Sequence, residues 1–246
     1  VSEARETNGF LLGGRVVYSQ PRDGFRSGIE PVLLAAAVPA RAQERVLEAG
    51  CGAGAALLCL AARLPGISGC GIERDPALAA LAARNIAANG WAARLAILAG
   101  DITAPPIAGE SFDHVCANPP WHDDAATPSP HPSRRAAKIA AADLLARWVA
   151  ALAARLRRRG SVTLILPAAQ LGRALAAIAA AGLGAARVLP LWPRAGRPAR
   201  LMLLQARKGA AGGEQILPGL VLHDEAGRFT DAAEAVLRHG AGLVLG

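Results

Sequence analysis

Short apolar runs alternate with longer, alanine-rich stretches of helical spacing along most of this chain. Ahead of that alternation, Phe10 to Tyr18 forms two apolar runs around Gly13-Gly14 and predicts a hairpin. Gly24 to Gly28 reads as a loop, and Glu30 to Val38 as a helix with Pro31 in its first turn. The regular pattern then begins with a strand at Arg45 to Glu48, a glycine loop and a helix from Ala55 to Leu64. Ile67 to Glu73 predicts a strand, and Pro76 to Asn89 a helix closed by Gly90. Leu95 to Leu98 and Phe112 to Ala117 are the third and fourth strands of the alternation. A proline-rich loop, Pro119 to Pro132, leads to a long helix over Ala136 to Arg158 that Gly160 should end. Val162 to Leu166 is a fifth strand, followed by a helix at Gln170 to Ala181. Arg187 to Trp192 and Arg200 to Ala206, joined by the turn-rich Pro193 to Pro198, predict an antiparallel hairpin. The tail adds a strand at Leu220 to His223 and a helix at Asp231 to Arg238.

Strand and helix in strict alternation imply a parallel sheet covered on both faces, here closed by a C-terminal antiparallel hairpin. In such a sheet, ligands bind beyond the carboxyl ends of the strands, at the switch point beside the first strand. Residues 1–40 form an N-terminal hairpin and helix covering that point, 41–208 the core, and 209–246 a C-terminal strand and helix, all within one domain.

Composition narrows the setting. The 246 residues are 52% hydrophobic, yet no purely apolar stretch reaches the roughly 18 residues a membrane helix needs. Val1 to Thr7 carries Glu3, Arg5 and Glu6 and does not read as a secretory signal, so a soluble cytoplasmic protein is expected. Cys51, Cys59, Cys70 and Cys116 lack metal-ligand spacing and read as reduced core residues, with neither metal nor disulfide expected. No obligate protein partner is inferred. The formal charge is +8, almost all of it arginine, clustered at Arg134, Arg135 and Lys138, at Arg155 to Arg159, and at Arg194, Arg197 and Arg200. Such a balance fits a polyanionic partner such as RNA.

The candidate chemistry sits at the ends of the predicted strands. Glu48-Ala49-Gly50-Cys51-Gly52-Ala53-Gly54 joins the first strand to the first helix, and its glycines allow a sharp turn and close approach to a ligand. Gly50, Gly52 and Ala55 alone also satisfy the looser nicotinamide fingerprint. Glu73, 23 residues past Gly50, ends the second strand where an acid accepts hydrogen bonds from ribose hydroxyls. Asp101, just past the third strand, is placed to accept a bond from an adenine amino group. Together the three elements describe a bound adenosine, without saying which adenosine cofactor.

Asn118-Pro119-Pro120-Trp121, at the end of the fourth strand, supplies a second constellation. An aromatic amine is a poor nucleophile because its lone pair is delocalised into the ring. The Asn118 side-chain carbonyl and the Pro119 backbone carbonyl can each accept one of its N–H groups, pulling the nitrogen towards a tetrahedral geometry. Pro119 and Pro120 stiffen the backbone that aims them, and Trp121 offers a flat face for a base. His122, Asp123 and Asp124 read as a solvated polar loop.

This arrangement resembles the amino-group methyltransferases, whose motif is Asn/Asp/Ser-Pro-Pro-aromatic. It implies the Rossmann-like class I methyltransferase fold, a seven-stranded, mostly parallel sheet with a C-terminal antiparallel hairpin, and S-adenosylmethionine as cofactor. The likeness extends to Gln20, Gly24-Phe25-Arg26 and Glu30-Pro31-Val32-Leu33-Leu34, to Arg134-Arg135-Ala136, and to the tail from Leu220 to Phe229 with its helix. Over nearly the whole chain it looks like the bacterial tRNA adenine-N6 methyltransferases that modify the adenine beside the anticodon of a valine tRNA. That resemblance implies cofactor contacts from Glu48, Gly50, Cys51 and Gly52 in the glycine loop, and from Glu73, Asp101, Ile102 and Asn118 at the other strand ends. It places Phe25 and Arg26 over the methionine end. Glu30 stands where the family commonly has aspartate, and Trp121 where it has tyrosine or phenylalanine. Two rivals share the motif: an rRNA guanine-N2 methyltransferase, which often continues with His-Asp as His122-Asp123 does, and a protein glutamine-N5 methyltransferase. The latter normally carries a separate N-terminal helical domain, whereas only about 40 residues precede the first strand of the alternation here.

Overall fold

The computed structural model describes residues 6–23, 27–104, 107, 109–120 and 133–246, with side chains in the last stretch from residue 144. Its strands are β1 (Glu6–Leu11), β2 (Val16–Pro21), β3 (Arg45–Ala49), β4 (Ser68–Glu73), β5 (Leu95–Ala99), β6 (Phe112–Ala117), β7 (Leu156–Pro167), β8 (Leu183–Trp192), β9 (Leu201–Lys208), β10 (Gln215–Ile216) and β11 (Leu220–Val221). The helices are α1 (Glu30–Ala37), α2 (Ala55–Arg63), α3 (Pro76–Ala88), α4 (Ser133–Arg155), α5 (Leu171–Ala180) and α6 (Asp231–Leu237).

Seven long strands form the main sheet in the order β5-β4-β3-β6-β7-β9-β8. The first five run parallel, and β9 inserts antiparallel between β7 and β8. The expected antiparallel hairpin is therefore β8–β9, with its second strand on the inside. The two-residue strands β10 and β11 pair with the outer side of β8 and cover part of the edge it would otherwise expose. β10 carries no signal in the sequence, because two residues cannot establish a periodicity.

Alternation along the strands separates two cores. Val46, Cys116, Ile165 and Leu203 face one side and pack with α1, α2 and α6, while Leu47, Ala49, Val115, Ala117, Leu164 and Leu204 face the other and pack with α4 and α5. Burial on both faces explains why these strands read as near-continuous apolar runs. Among the described residues, no helix is long and apolar enough to cross a membrane.

The boundary between the fourth helix and β7 differs from expectation. The fourth helix ends at Arg155, and Leu156 to Gly160 belong to β7. The Lys208 ammonium donates to the Ala153 and Leu156 carbonyls at 2.9 Å each, and the Ser111 amide donates to Arg155 O at 3.0 Å. These bonds satisfy the helix end, and the fully buried Leu156 turns inward to pair with Phe112. Gly160 does not terminate the helix: it sits where β7 passes β6, and a Cβ there would lie 2.7 Å from Asp113 O.

The N-terminal hairpin is fastened by two asparagines one helical turn apart. Asn85 Oδ1 accepts from Ser19 N at 3.0 Å, and Asn85 Nδ2 donates to Ser19 O at 2.8 Å. Asn89 repeats the pattern with Val17 N at 3.0 Å and Val17 O at 2.8 Å. The i, i+4 spacing on α3 thus matches the two-residue period of β2, so helical side chains complete the strand's free edge as a neighbouring strand would. Asn85 Nδ2 also donates to Ala53 O in the glycine loop at 2.9 Å. Glu6 and Arg84 form an ion pair at the rim.

Asn85 is buried, so its loss leaves the Ser19 amide and the Ala53 carbonyl short of partners. Asn85→Ala should lower unfolding free energy by about 2–4 kcal/mol in a denaturant titration, at about 1 kcal/mol per hydrogen bond plus the exposed polar groups.

Candidate active site

Register brings the strand ends together. Ala49 at the end of β3 pairs with Ile72 of β4 on one side and Ala117 of β6 on the other, and Glu73 pairs with Ala99 of β5. Gly50, Glu73, Gly100 and Asn118 therefore leave the sheet along one edge. Gly50 N and Cys51 N both donate to Ile72 O, at 2.8 and 3.1 Å, which folds the glycine loop back over β4. Gly50, Gly52 and Gly54 all have positive φ, at 63°, 54° and 88°. A Cβ on Gly50 would also lie 2.7 Å from the Trp148 ring of α4, whereas one on Gly52 would meet open space. The turn thus rests on Trp148 and presents Gly52 outward.

A cleft of about 550 Å³, its open mouth included, lies above this edge. Its floor is Glu48, Gly50, Cys51, Gly52, Ala53 and Asn118, and its roof is Tyr18, Gln20, Pro21 and Ser27 from the N-terminal hairpin and the segment after it. Tyr18 is buried and its hydroxyl lies 2.8 Å from Ser27 Oγ; Gln20 Oε1 accepts from Ser27 N at 3.0 Å. Burial pushes the Tyr18 phenol up to about 12, so it stays protonated and able to donate. Tyr18 and Trp148 are among the site residues the sequence did not reveal. Each sits inside an ordinary hydrophobic pattern, and only the folded chain brings them to the glycine loop.

Three acids occupy distinct positions. Glu48 is buried at the end of β3, and its Oε2 accepts from Leu57 N, the third residue of α2, at 2.8 Å. It caps that helix from the strand before it. Burial pushes its carboxyl up to about 8, against the bond from Leu57. Glu73 is half-buried: Oε2 accepts from Gly52 N at 2.8 Å and Oε1 from Asp75 N at 2.9 Å. Each of its oxygens retains acceptor capacity for a hydroxyl. Asp101 Oδ1 accepts from Thr103 N and Thr103 Oγ1, both at 2.8 Å, and these donors hold its carboxyl below the usual range.

Glu48, Gly50, Cys51, Gly52 and Asn118 thus meet in one cleft, with Glu73 joined to it through Gly52 N. Asp101 and Ile102 lie at the next strand end, outside the cleft lining; the Ile102 side chain is buried in the core beneath. Pro119 is buried and Pro120 exposed. Arg26, Phe25, Trp121 and the His122 to Asp124 segment lie outside the described residues. The outward-facing Gly52, a strand-end acid with spare acceptors and a second carboxylate one strand further along fit the ribose and adenine of S-adenosylmethionine. The cleft under Tyr18 and Gln20 opens beside Asn118 and Gly50.

Sheet order, glycine loop and strand-end acids together define an S-adenosylmethionine-dependent methyltransferase of the Rossmann-like class, and a family model described as a methyltransferase domain matches residues 46–130. Over 225 residues the chain is 32% identical to the tRNA1(Val) (adenine(37)-N6)-methyltransferase of Actinobacillus succinogenes, covering 91% of this chain and 92% of that one. The chain belongs to that tRNA1(Val) (adenine(37)-N6)-methyltransferase family. It is also 34% identical over 128 residues to the enzyme of that name from Yersinia pseudotuberculosis, about half of each chain. Among solved structures it resembles a predicted O-methyltransferase, Atu636, from Agrobacterium tumefaciens, with TM-score 0.74 and 25% identity over 87% of this chain and 98% of that one.

Because the folded protein holds a proton on Glu48 that the unfolded chain releases, Glu48 favours folding fully only below about pH 4.5, and the benefit is lost as pH rises through about 8. Glu48→Gln carries no such proton. Its stability relative to the parent should rise across that window by up to about 1.4 kcal/mol per pH unit, read from paired melts at pH 5 to 8. A constant difference would show that Glu48 does not titrate there.

Proposed function

We propose that this chain transfers a methyl group from S-adenosylmethionine to the exocyclic N6 amine of an adenine in tRNA, namely adenine 37 of valine tRNA. The observation that carries this reading is the placement of Asn118 beside Gly50, an amide and a cofactor-type glycine loop in one cleft. Kinship over nine-tenths of the chain with an enzyme named for that reaction supports the same substrate. The basic balance, +8 overall, fits a polyanion.

In this reading Glu73 accepts the ribose hydroxyls, Asp101 and the Ile102 backbone meet the adenine, and the glycine loop with Cys51 lies along the donor. Glu48 holds the loop from beneath by capping α2, and Arg26 lies over the methionine end. The bound donor supplies an electrophilic methyl group. The protein's work is then orientation. Asn118 Oδ1 and Pro119 O each accept one N–H of the target amine, which localises its lone pair and aims it into the cleft. Pro119 and Pro120 keep the backbone carbonyl fixed, and Trp121 stacks on the base. No strong base is required, because the nitrogen becomes acidic only after it gains the methyl and then loses its proton to water. An adenine stacked in an RNA loop must first be turned out into the cleft. The chain acts as a single domain, with 1–40 as the roof of the cofactor site and 209–246 as cover for the outer sheet edge. Its place of work is the cytoplasm, where tRNA is.

Labelled S-adenosylmethionine offered with total tRNA, rRNA and protein extract should yield N6-methyladenosine in the tRNA pool. N2-methylguanosine or labelled protein would overturn the substrate. Asn118→Ala should lower the transfer rate by about 10²–10³, the scale for losing one aligned polar group at a reacting centre, with cofactor affinity nearly unchanged in calorimetry. Undiminished turnover in that variant would refute the role given to Asn118.

A further inference from the structure

Three arginine clusters in the sequence are equally suited to RNA, and the topology separates two of them. β7 starts at the edge opposite the cleft, where Leu156 pairs with Phe112, and ends at the cleft edge. Ala117 at the end of β6 pairs with Leu164, so β7 continues three residues further, to Pro167. Pro167 pairs with Leu201 at the start of β9, and Leu201 pairs with Leu191 near the end of β8. The loop between β8 and β9, residues 193–200, therefore stands on the cleft side of the sheet. Its β9 and β8 ends lie two and three strand spacings, roughly 10 and 15 Å, to the side of Asn118, and about three residues, roughly 10 Å, above it. Arg157, Arg158 and Arg159 fall at the other end of β7, about 20 Å below Asn118 at roughly 3.3 Å per residue.

The raised loop carries Arg194, Arg197 and Arg200, all exposed, and no acid. None of the three side chains has a hydrogen bond or ion pair among the described residues; at the far edge Arg157 pairs with Asp113 at 2.9 Å while Arg158 and Arg159 are exposed as well, so position in the fold is what separates the clusters. Asp224, on the tail segment that packs against the loop, is held by Arg228 at 3.0 Å. With Glu225, that leaves four arginines against two acids locally. The loop is also fixed in place. Leu222 N donates to Trp192 O at 2.8 Å, His223 N to Pro193 O at 3.2 Å, and Trp192 Nε1 to Pro218 O at 3.1 Å. Arg197 N closes a turn onto Arg194 O at 3.2 Å, with Gly196 at φ +70°.

Three guanidiniums with no partner among the described residues, on a braced loop roughly 14–18 Å from the group assigned to hold the target amine, match the phosphate backbone that flanks the target nucleotide. Resting on the tRNA reading above, we infer that the β8–β9 loop, through Arg194, Arg197 and Arg200, grips the tRNA backbone while its base occupies the cleft, and that the Arg157 to Arg159 cluster does not. This loop is a positioning surface: it sets where the RNA lies and touches no reacting atom.

The test is a salt series of binding to an unmodified valine tRNA transcript, using the full chain. Arg194→Gln, Arg197→Gln and Arg200→Gln combined should weaken binding at least tenfold near 0.1 M salt and flatten the log–log salt dependence by about 2–3. Cofactor affinity should be unchanged, and the loss should fall on KM for tRNA with kcat kept within a few-fold. The corresponding triple lysine variant should restore the slope, since counterion release depends on charge. Arg158→Gln with Arg159→Gln should change neither affinity nor slope. Wild-type affinity and slope in the triple glutamine variant, or the loss appearing in the Arg158/Arg159 variant, would overturn the inference while leaving the enzyme a tRNA methyltransferase. A parent protein that neither binds nor methylates the transcript, yet binds S-adenosylmethionine, would overturn both.

Discussion

The arrangement of the site depends on the parallel pairing of β3 with a neighbour on each side. Ala49 is in register with Ile72 and with Ala117, so the chain leaves the sheet at three adjacent points on one edge. A one-residue slip in either ladder would turn every side chain of that strand to the opposite face and take Glu73 from Gly52 N or Asn118 from the cleft. The two apolar cores forbid such a slip. Val46 and Cys116 must face α1 and α2 while Leu47, Val115 and Ala117 face α4 and α5. Site geometry is therefore inherited from core alternation, and the polar residues contribute little to fixing their own positions.

A second constraint is that the glycine loop is held from three sides. Ile72 O receives its amides, Trp148 fills the space that a side chain on Gly50 would need, and Asn85 holds Ala53 O. The same Asn85 holds β2, so the hairpin that roofs the cleft and the loop that floors it share one anchor. Glu48 is costly in this setting. A buried carboxyl is tolerated because it caps α2 and stays largely protonated near neutral pH. The cleft thereby keeps an additional negative charge away from Glu73.

The far edge of the sheet is polar in a different way. His114 is buried, with Nδ1 2.8 Å from Ser161 Oγ and Nε2 2.9 Å from Glu44 Oε2, and burial lowers its pKa. This resembles a nucleophile relay in outline. Ser161 is wholly buried, so no substrate reaches it, and the trio instead ties β3, β6 and β7 at their starting ends. Together with Asp113, which accepts from Arg45 N and pairs with Arg157, it braces that end of the sheet with polar contacts far from the cleft.

Periodicity and turn chemistry made most of this legible from the chain alone. The alternation of apolar runs and helical stretches determined the element order, because helices and buried strands leave different spacings. The places of Gly50, Gly52, Glu73, Asp101 and Asn118 at the carboxyl ends of strands were legible because each ends or follows an apolar run at a short offset. The end of α4 was not, since Lys208 and Ser111, distant in sequence, satisfy its last carbonyls. Tyr18 and Trp148 were hidden because their neighbours in sequence say only that they are buried. The choice between arginine clusters was equally closed to the sequence, in which Arg157 to Arg159 and Arg194 to Arg200 differ in nothing that bears on a phosphate. Tertiary structure alone decided that one lies at the start of β7 and the other beyond its end. The direction of a strand within the sheet, set by pairing with residues far along the chain, determines which end of it faces the ligand.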